Sequence, residues 1–96
     1  EKPNTILTFG KDKVSRIAIV SGGGSDSLEE AIKENADLFI TGEISHQNYH
    51  TALENNINLI AAGHYQTETV GVKLVAEKLA KETNIETVFI DVPTGL

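Results

Sequence analysis

Ile57-Asn58-Leu59-Ile60-Ala61-Ala62-Gly63-His64-Tyr65-Gln66-Thr67-Glu68 is the stretch on which the fold turns. A short, almost continuous apolar run bounded by Asn56 and Gly63 fits a strand covered on both faces, as in a parallel sheet. Behind it, residues Gln66 to Thr83 place Val72, Val75, Ala76 and Leu79 at i, i+3, i+4 and i+7, the spacing of one helical face. The segment therefore reads as strand, glycine turn, helix. His64 projects at the carboxyl end of the strand, and Glu68 falls in the first turn of the helix.

The same alternation continues on both sides. Runs rich in β-branched residues occur at Asn4 to Phe9, Arg16 to Ser21 and Leu38 to Ile40, and Ile85 to Val92 alternates in part. Between them, Ser25 to Asn35 gathers Leu28, Ala31 and Ile32 on one face, and Ser45 to Asn55 gathers Tyr49, Ala52 and Leu53. Ser27-x-x-Glu30 has the form of a capping box, and Asn84 stands where a left-handed helix cap is expected. On the third helix Glu77 and Lys81 form an i,i+4 pair in the favourable order. The predicted order is β-β-α-β-α-β-α-β. This is an α/β chain with an open, largely parallel or mixed sheet flanked by helices, a single domain over residues 1–96. The tail from Asp91 to Leu96 reads as an exit from the last strand.

Composition narrows the function classes. The chain has 96 residues, room for one small domain. It contains no Cys, which excludes disulfides, thiolate chemistry and cysteine-ligated zinc. That absence fits a cytoplasmic protein. The net charge of −6 leaves no domain-wide basic footprint for nucleic acid, and Lys11 and Lys13 are separated by Asp12. No apolar run approaches the length of a membrane span, and Glu1-Lys2-Pro3-Asn4 has none of the character of a signal peptide. The chain also lacks Met, so a piece of a longer polypeptide is expected.

Four places carry residues suited to chemistry. Gly22-Gly23-Gly24-Ser25-Asp26-Ser27 follows a strand and opens a helix, where free N–H groups attract anions. It matches no nucleotide-binding spacing, Asp26 would repel a phosphate, and a tight capped turn explains it equally well. Thr41-Gly42-Glu43 ends a strand, where ligands gather in open α/β sheets. Glu43 there is either a solvated loop carboxylate or the acceptor that orients a metal-bound His. His46 and His50 share a helical face at i,i+4, as do Tyr49 and Leu53, so an ordinary half-buried face explains them without a metal. His64 and Glu68 offer an imidazole nitrogen and a carboxylate oxygen, a donor set for zinc, iron or manganese. A carboxylate in a first helical turn is also favoured by the helix dipole alone. Two ligands do not complete a site, since zinc takes three or four protein ligands.

Taken together these motifs resemble the Nif-three-like family, also called GTP cyclohydrolase I type 2 homologues. Gly63-His64-Tyr65-Gln66-Thr67-Glu68 matches its G-H-x-x-T-E signature. Ala36-Asp37-Leu38-Phe39-Ile40-Thr41-Gly42-Glu43 is similar to its A-D-x-x-I-T-G-[DE] segment, and the strand with Gly22-Gly23-Gly24 is similar to its glycine turn. His50 and His46 fall where different members carry a histidine, and Phe89 to Pro93 resembles the closing strand and exit. The likeness runs from about Lys13 onward.

The resemblance implies a homohexameric ring of two-domain subunits, each holding two divalent metal ions between its domains. Zinc, iron, manganese and magnesium are not distinguished by these residues. The implied ligands are a His-His pair and an Asp from the N-terminal half, together with His64 and Glu68. No adjacent His pair occurs here, so the chain is similar to the C-terminal part of a subunit. Glu43, His50, Gly23 and Gly24 are implied near the site without an assigned role, and no catalytic residue is assigned. The expected function is divalent-metal binding, with metal-dependent hydrolysis of an unidentified small-molecule substrate. The alternative is a non-catalytic ring or scaffold with a structural metal that binds a protein or nucleic-acid partner, although the acidic charge argues against nucleic acid on this half.

Overall fold

A computed structural model describes residues 3–96 of the chain. Glu1 and Lys2, which open the N-terminal stretch read above, lie outside the described residues. The strands are β1 (Thr5–Thr8), β2 (Ile17–Val20), β3 (Leu38–Thr41) and β4 (Asn58–Ala61). A single 3-10 turn (Ser25–Ser27) leads into helix α1 (Leu28–Lys33), and α2 (His46–Glu54) and α3 (His64–Glu82) follow β3 and β4. The sheet order is β1-β4-β3-β2. The strands β2, β3 and β4 are parallel, and β1 is antiparallel to β4. This is the mixed α/β sheet that the alternating pattern predicts.

Burial follows sheet position. Phe39 and Leu59, on the central strands, are fully buried, and Leu28, Ala31, Ala52, Ile57 and Ala61 complete the core. The edge strands β1 and β2 are covered on one face only. Ile6 lies exposed on β1, and Ile17 and Ile19 lie exposed on β2. At the amino ends of the parallel strands, Asp37 ties down the loop before β2. Its Oδ2 accepts from the N–H groups of Ser15 and Arg16 and from the Ser15 hydroxyl, each at 3.0 Å, and Lys11 Nζ lies 3.2 Å from Oδ1. These donors, the two backbone N–H groups first, hold the Asp37 carboxyl well below the usual carboxylate range.

Four expectations are corrected. Ile85 to Val92 forms no strand: Val88, Ile90 and Val92 are exposed, and the segment joins neither sheet edge. Its alternation is real, but a strand also needs a partner edge, and this segment lies beside α3 instead. The capping box falls on Ser45 and Asn48, whose Oδ1 accepts from the Ser45 N–H at 2.8 Å, while Ser27 caps nothing through its side chain. Left-handed caps occur at Asn35 (φ 59°) and Asn56 (φ 52°), whereas Thr83 ends α3 in an extended conformation and Asn84 is not left-handed. Finally, α3 starts at His64, two residues before the predicted start, and it buries none of its residues. Val70, Val72, Leu74, Val75 and Leu79 stay exposed along it. Among the described residues no helix is long and apolar enough to cross a membrane.

Candidate metal centre

The carboxyl ends of β2, β3 and β4 lie side by side, and each runs into one of the predicted motifs. The loops are stitched together by backbone. Glu43 N–H donates to Gly22 O at 2.9 Å, and Gly63 N–H donates to Gly42 O at 2.7 Å. Two threonines lock this edge. Buried Thr41 accepts from Gly24 N–H at 3.0 Å and donates to Gly22 O at 3.3 Å. Thr67 accepts from Gly22 N–H at 2.9 Å and donates to His64 O at 3.1 Å. The threonine of the His64–Glu68 segment thus clamps the glycine turn onto the helix that carries both candidate ligands.

Close packing explains the glycines. Gly22 has φ +70°, and a methyl there would overlap the Glu68 carboxylate and come within 3.2 Å of His64 Nε2. A side chain at Gly42 would strike Thr67 Oγ1 at 2.6 Å and the His64 Cα at 2.8 Å. Gly23 lies just beyond, its Cβ position 3.8 Å from both Glu43 Oε1 and His64 Cε1, while Gly24 packs on Thr41 and Val20. Of the three glycines in the turn, Gly22 lies closest to the pair, ahead of the Gly23 and Gly24 that the resemblance implies near the site. In a run of three glycines, spacing alone does not mark the one with positive φ.

His64 sits between two carboxylates. Its Nδ1 lies 2.5 Å from Glu43 Oε1, and its Nε2 lies 2.9 Å from Glu68 Oε1, one helical turn on. All three side chains are about half exposed. The hydrogen bond with Glu43 raises the His64 pKa, partial desolvation opposes it, and the charge of Glu68 adds to the rise. Without a metal, the two carboxylates thus favour the protonated form of His64.

The same geometry suits a metal ion. Glu43 fixes one ring nitrogen, as the carboxylate partner of a metal-bound His does, and directs the other toward Glu68. A metal with bonds of about 2.0–2.1 Å holds neighbouring donors roughly 3.4 Å apart, so opening the 2.9 Å pair by about half an ångström admits an ion in place of the Nε2 proton. Among the described residues no group of three His, Asp or Glu converges as a closed site requires, because Glu43 lies on the far side of the ring. His50 is placed elsewhere. It packs edge-on against Tyr49 and against His46, at ring separations of 5.3 and 5.8 Å.

Beside the pair opens a cavity of about 510 Å³ whose lining includes Glu43, His64 and Glu68. Tyr65 borders it. Its hydroxyl donates to Asp91 and accepts from Val92 N–H at 2.9 Å, and the Asp91 bond raises the phenol pKa.

Fold and site define an α/β protein with an imidazole–carboxylate pair at the carboxyl edge of a parallel sheet, where open sheets of this kind bind ligands. Residues 1–95 match the family model of Duf34/NIF3 (NGG1p interacting factor 3), and the chain belongs to that family. It is 56% identical over 96 residues to the GTP cyclohydrolase 1 type 2 homolog of Treponema pallidum, covering 100% of this chain and 34% of that protein. Among solved structures it is similar to protein ybgI, described as of unknown function, with TM-score 0.90 and 36% identity over 94% of this chain and 37% of that one. It is also similar to TTHA1606 of Thermus thermophilus, with TM-score 0.89 and 42% identity over 96% of this chain and 37% of that one. The chain thus spans about a third of the length of the relatives it matches.

Proposed function

We propose that this chain supplies His64 and Glu68 as two ligands of a divalent-metal centre, and that the remaining ligands come from protein outside these 96 residues. The observation that carries the reading is His64 held between Glu43 at Nδ1 and Glu68 at Nε2. Glu43 orients the ring, and Thr67 with the glycine turn fixes its backbone. A bound divalent metal supplies Lewis acidity, acidifying water and stabilising developing negative charge, which suits hydrolysis. The relatives' name points the same way without fixing a substrate. The expected assembly is a homo-oligomer, a hexamer by the family resemblance.

A second reading keeps the metal but makes it structural, in a ring that serves as a scaffold. The exposed valines and leucines of α3 favour it, since an apolar helix left uncovered within one chain suits an assembly surface. The two readings separate in the full-length protein. Under the first, His64→Ala and Glu68→Gln lower metal content and abolish turnover of a nucleotide or amide substrate while the oligomer persists. Under the second, the same changes lower thermal stability or split the oligomer, and no activity exists to lose. Metal content equal to wild type in both variants would overturn both readings.

A further inference from the structure

The cavity beside His64 and Glu68 has a second half that the metal does not use. Val72 of α3 and Phe89, Ile90 and Leu96 of the terminal segment give the same cavity an apolar lining. The residues from Ile85 onward join no sheet, so their place is set by a few contacts. Three of these contacts use Tyr65. Its hydroxyl donates to Asp91, the Val92 N–H donates to that hydroxyl, and its own N–H donates to Leu96 O at 3.4 Å. A fourth places Lys73 Nζ 4.6 Å from the centre of the Phe89 ring. The anchor of this lining is thus the neighbour of a candidate ligand, on the same helical turn. Ile90 is 77% exposed and Leu96 63%, so these side chains fill no core, and both line the cavity.

We propose that the terminal segment, held by Tyr65, forms the apolar side of a small-molecule pocket, whose ligand joins a metal-seeking anionic head to an apolar or aromatic body. The volume lies in the range of ordinary small-molecule pockets, which combine apolar walls with a few convergent polar groups. The head meets the metal held by His64 and Glu68, and the body lies along Phe89, Ile90 and Val72. Tyr65 is a positioning residue in this arrangement. The inference rests on the metal reading above.

Two metal-binding probes of different size test it on metal-loaded full-length protein. Calorimetry with acetohydroxamate reads the metal alone, and benzohydroxamate adds an aromatic body. Benzohydroxamate is expected to bind at least about ten-fold more tightly, from burial of its ring. Phe89→Ala should cut that advantage below about three-fold with acetohydroxamate affinity held within about two-fold. Tyr65→Phe should do the same and also speed amide hydrogen exchange over residues 85–96, which Phe89→Ala need not do. Equal affinity of the two probes, or an advantage that survives both substitutions, overturns the pocket and leaves the metal reading standing. Failure of the protein to take up metal overturns both.

Discussion

Thr41→Val replaces a fully buried hydroxyl with a methyl of nearly the same shape, so its effect isolates the two hydrogen bonds that Thr41 makes. Gly22 O keeps a partner in the Glu43 N–H at 2.9 Å, and losing the 3.3 Å bond to it costs little. Gly24 N–H is different, because its 3.0 Å bond to Thr41 Oγ1 is buried and a valine offers it no acceptor. A buried donor stripped of its acceptor costs about 1–3 kcal/mol, so a loss of about 2 kcal/mol is expected. Thr41→Ser keeps the hydroxyl and loses a methyl, for about 1 kcal/mol or less of packing. Urea denaturation of the metal-free protein followed by circular dichroism reads both. The midpoint should fall further for valine than for serine, with the slope unchanged. A serine variant less stable than the valine variant, or a valine variant within about 0.5 kcal/mol of wild type, would refute the argument that the hydroxyl holds the glycine turn.

The raised pKa of His64 means that a metal displaces a proton from Nε2, so affinity should climb about tenfold per pH unit below that pKa and level off above it. Calorimetry in buffers of different ionisation enthalpy should count one proton released well below that pKa and none well above it. In the metal-free protein the sign is opposite: the stabilisation from His64 is complete below the unfolded value of about 6.5 and fades as pH rises through the raised folded value, a trend that Glu43→Gln should flatten. For Asp37 the depressed folded pKa gives stability that is complete above about 3.9 and is lost as pH falls toward the folded value; Asp37→Asn should be less stable at neutral pH and flatter in acid melts. Gly22→Ala should cost about 1–2 kcal/mol for an L-residue at φ +70° and weaken metal binding about ten-fold by pushing on Glu68, both readable in one metal titration and melt series.

Where the sequence was informative, the reason was local. Continuous short apolar runs such as Leu38–Ile40 and Ile57–Ala62 fit strands covered on both faces, and they form the two central ones. His64 and Glu68 were legible because the strand end and the i,i+4 spacing are both written in one segment. For Glu43 the sequence leaves a solvated loop carboxylate and an acceptor for a His both open, because its bond to His64 spans 21 positions and depends on β3 and β4 being neighbours. Ser45 does not show as a capping-box residue in the sequence, because Asn48 does there what Glu or Gln usually does. The role of Thr67 is not legible in the sequence, since nothing in its spacing reveals that it bonds a loop 45 residues away. The strand predicted at Ile85–Val92 failed for a nonlocal reason too: alternation describes one strand, and pairing is a property of two.

The sheet's β2 margin has a practical meaning for anyone handling the protein. Ile17 and Ile19 stand at 51% and 70% exposure on a strand with one neighbour, which makes β2 an unfinished hydrogen-bonding template with a sticky face. The alternating Ile85–Val92 segment is an unpaired strand-like sequence able to add to such a template in another molecule. Concentrated solutions of these 96 residues by themselves should therefore be limited by strand exchange between molecules before they are limited by unfolding. A lysine in place of Ile19, placed where natural edge strands carry charge, is the substitution that relieves it.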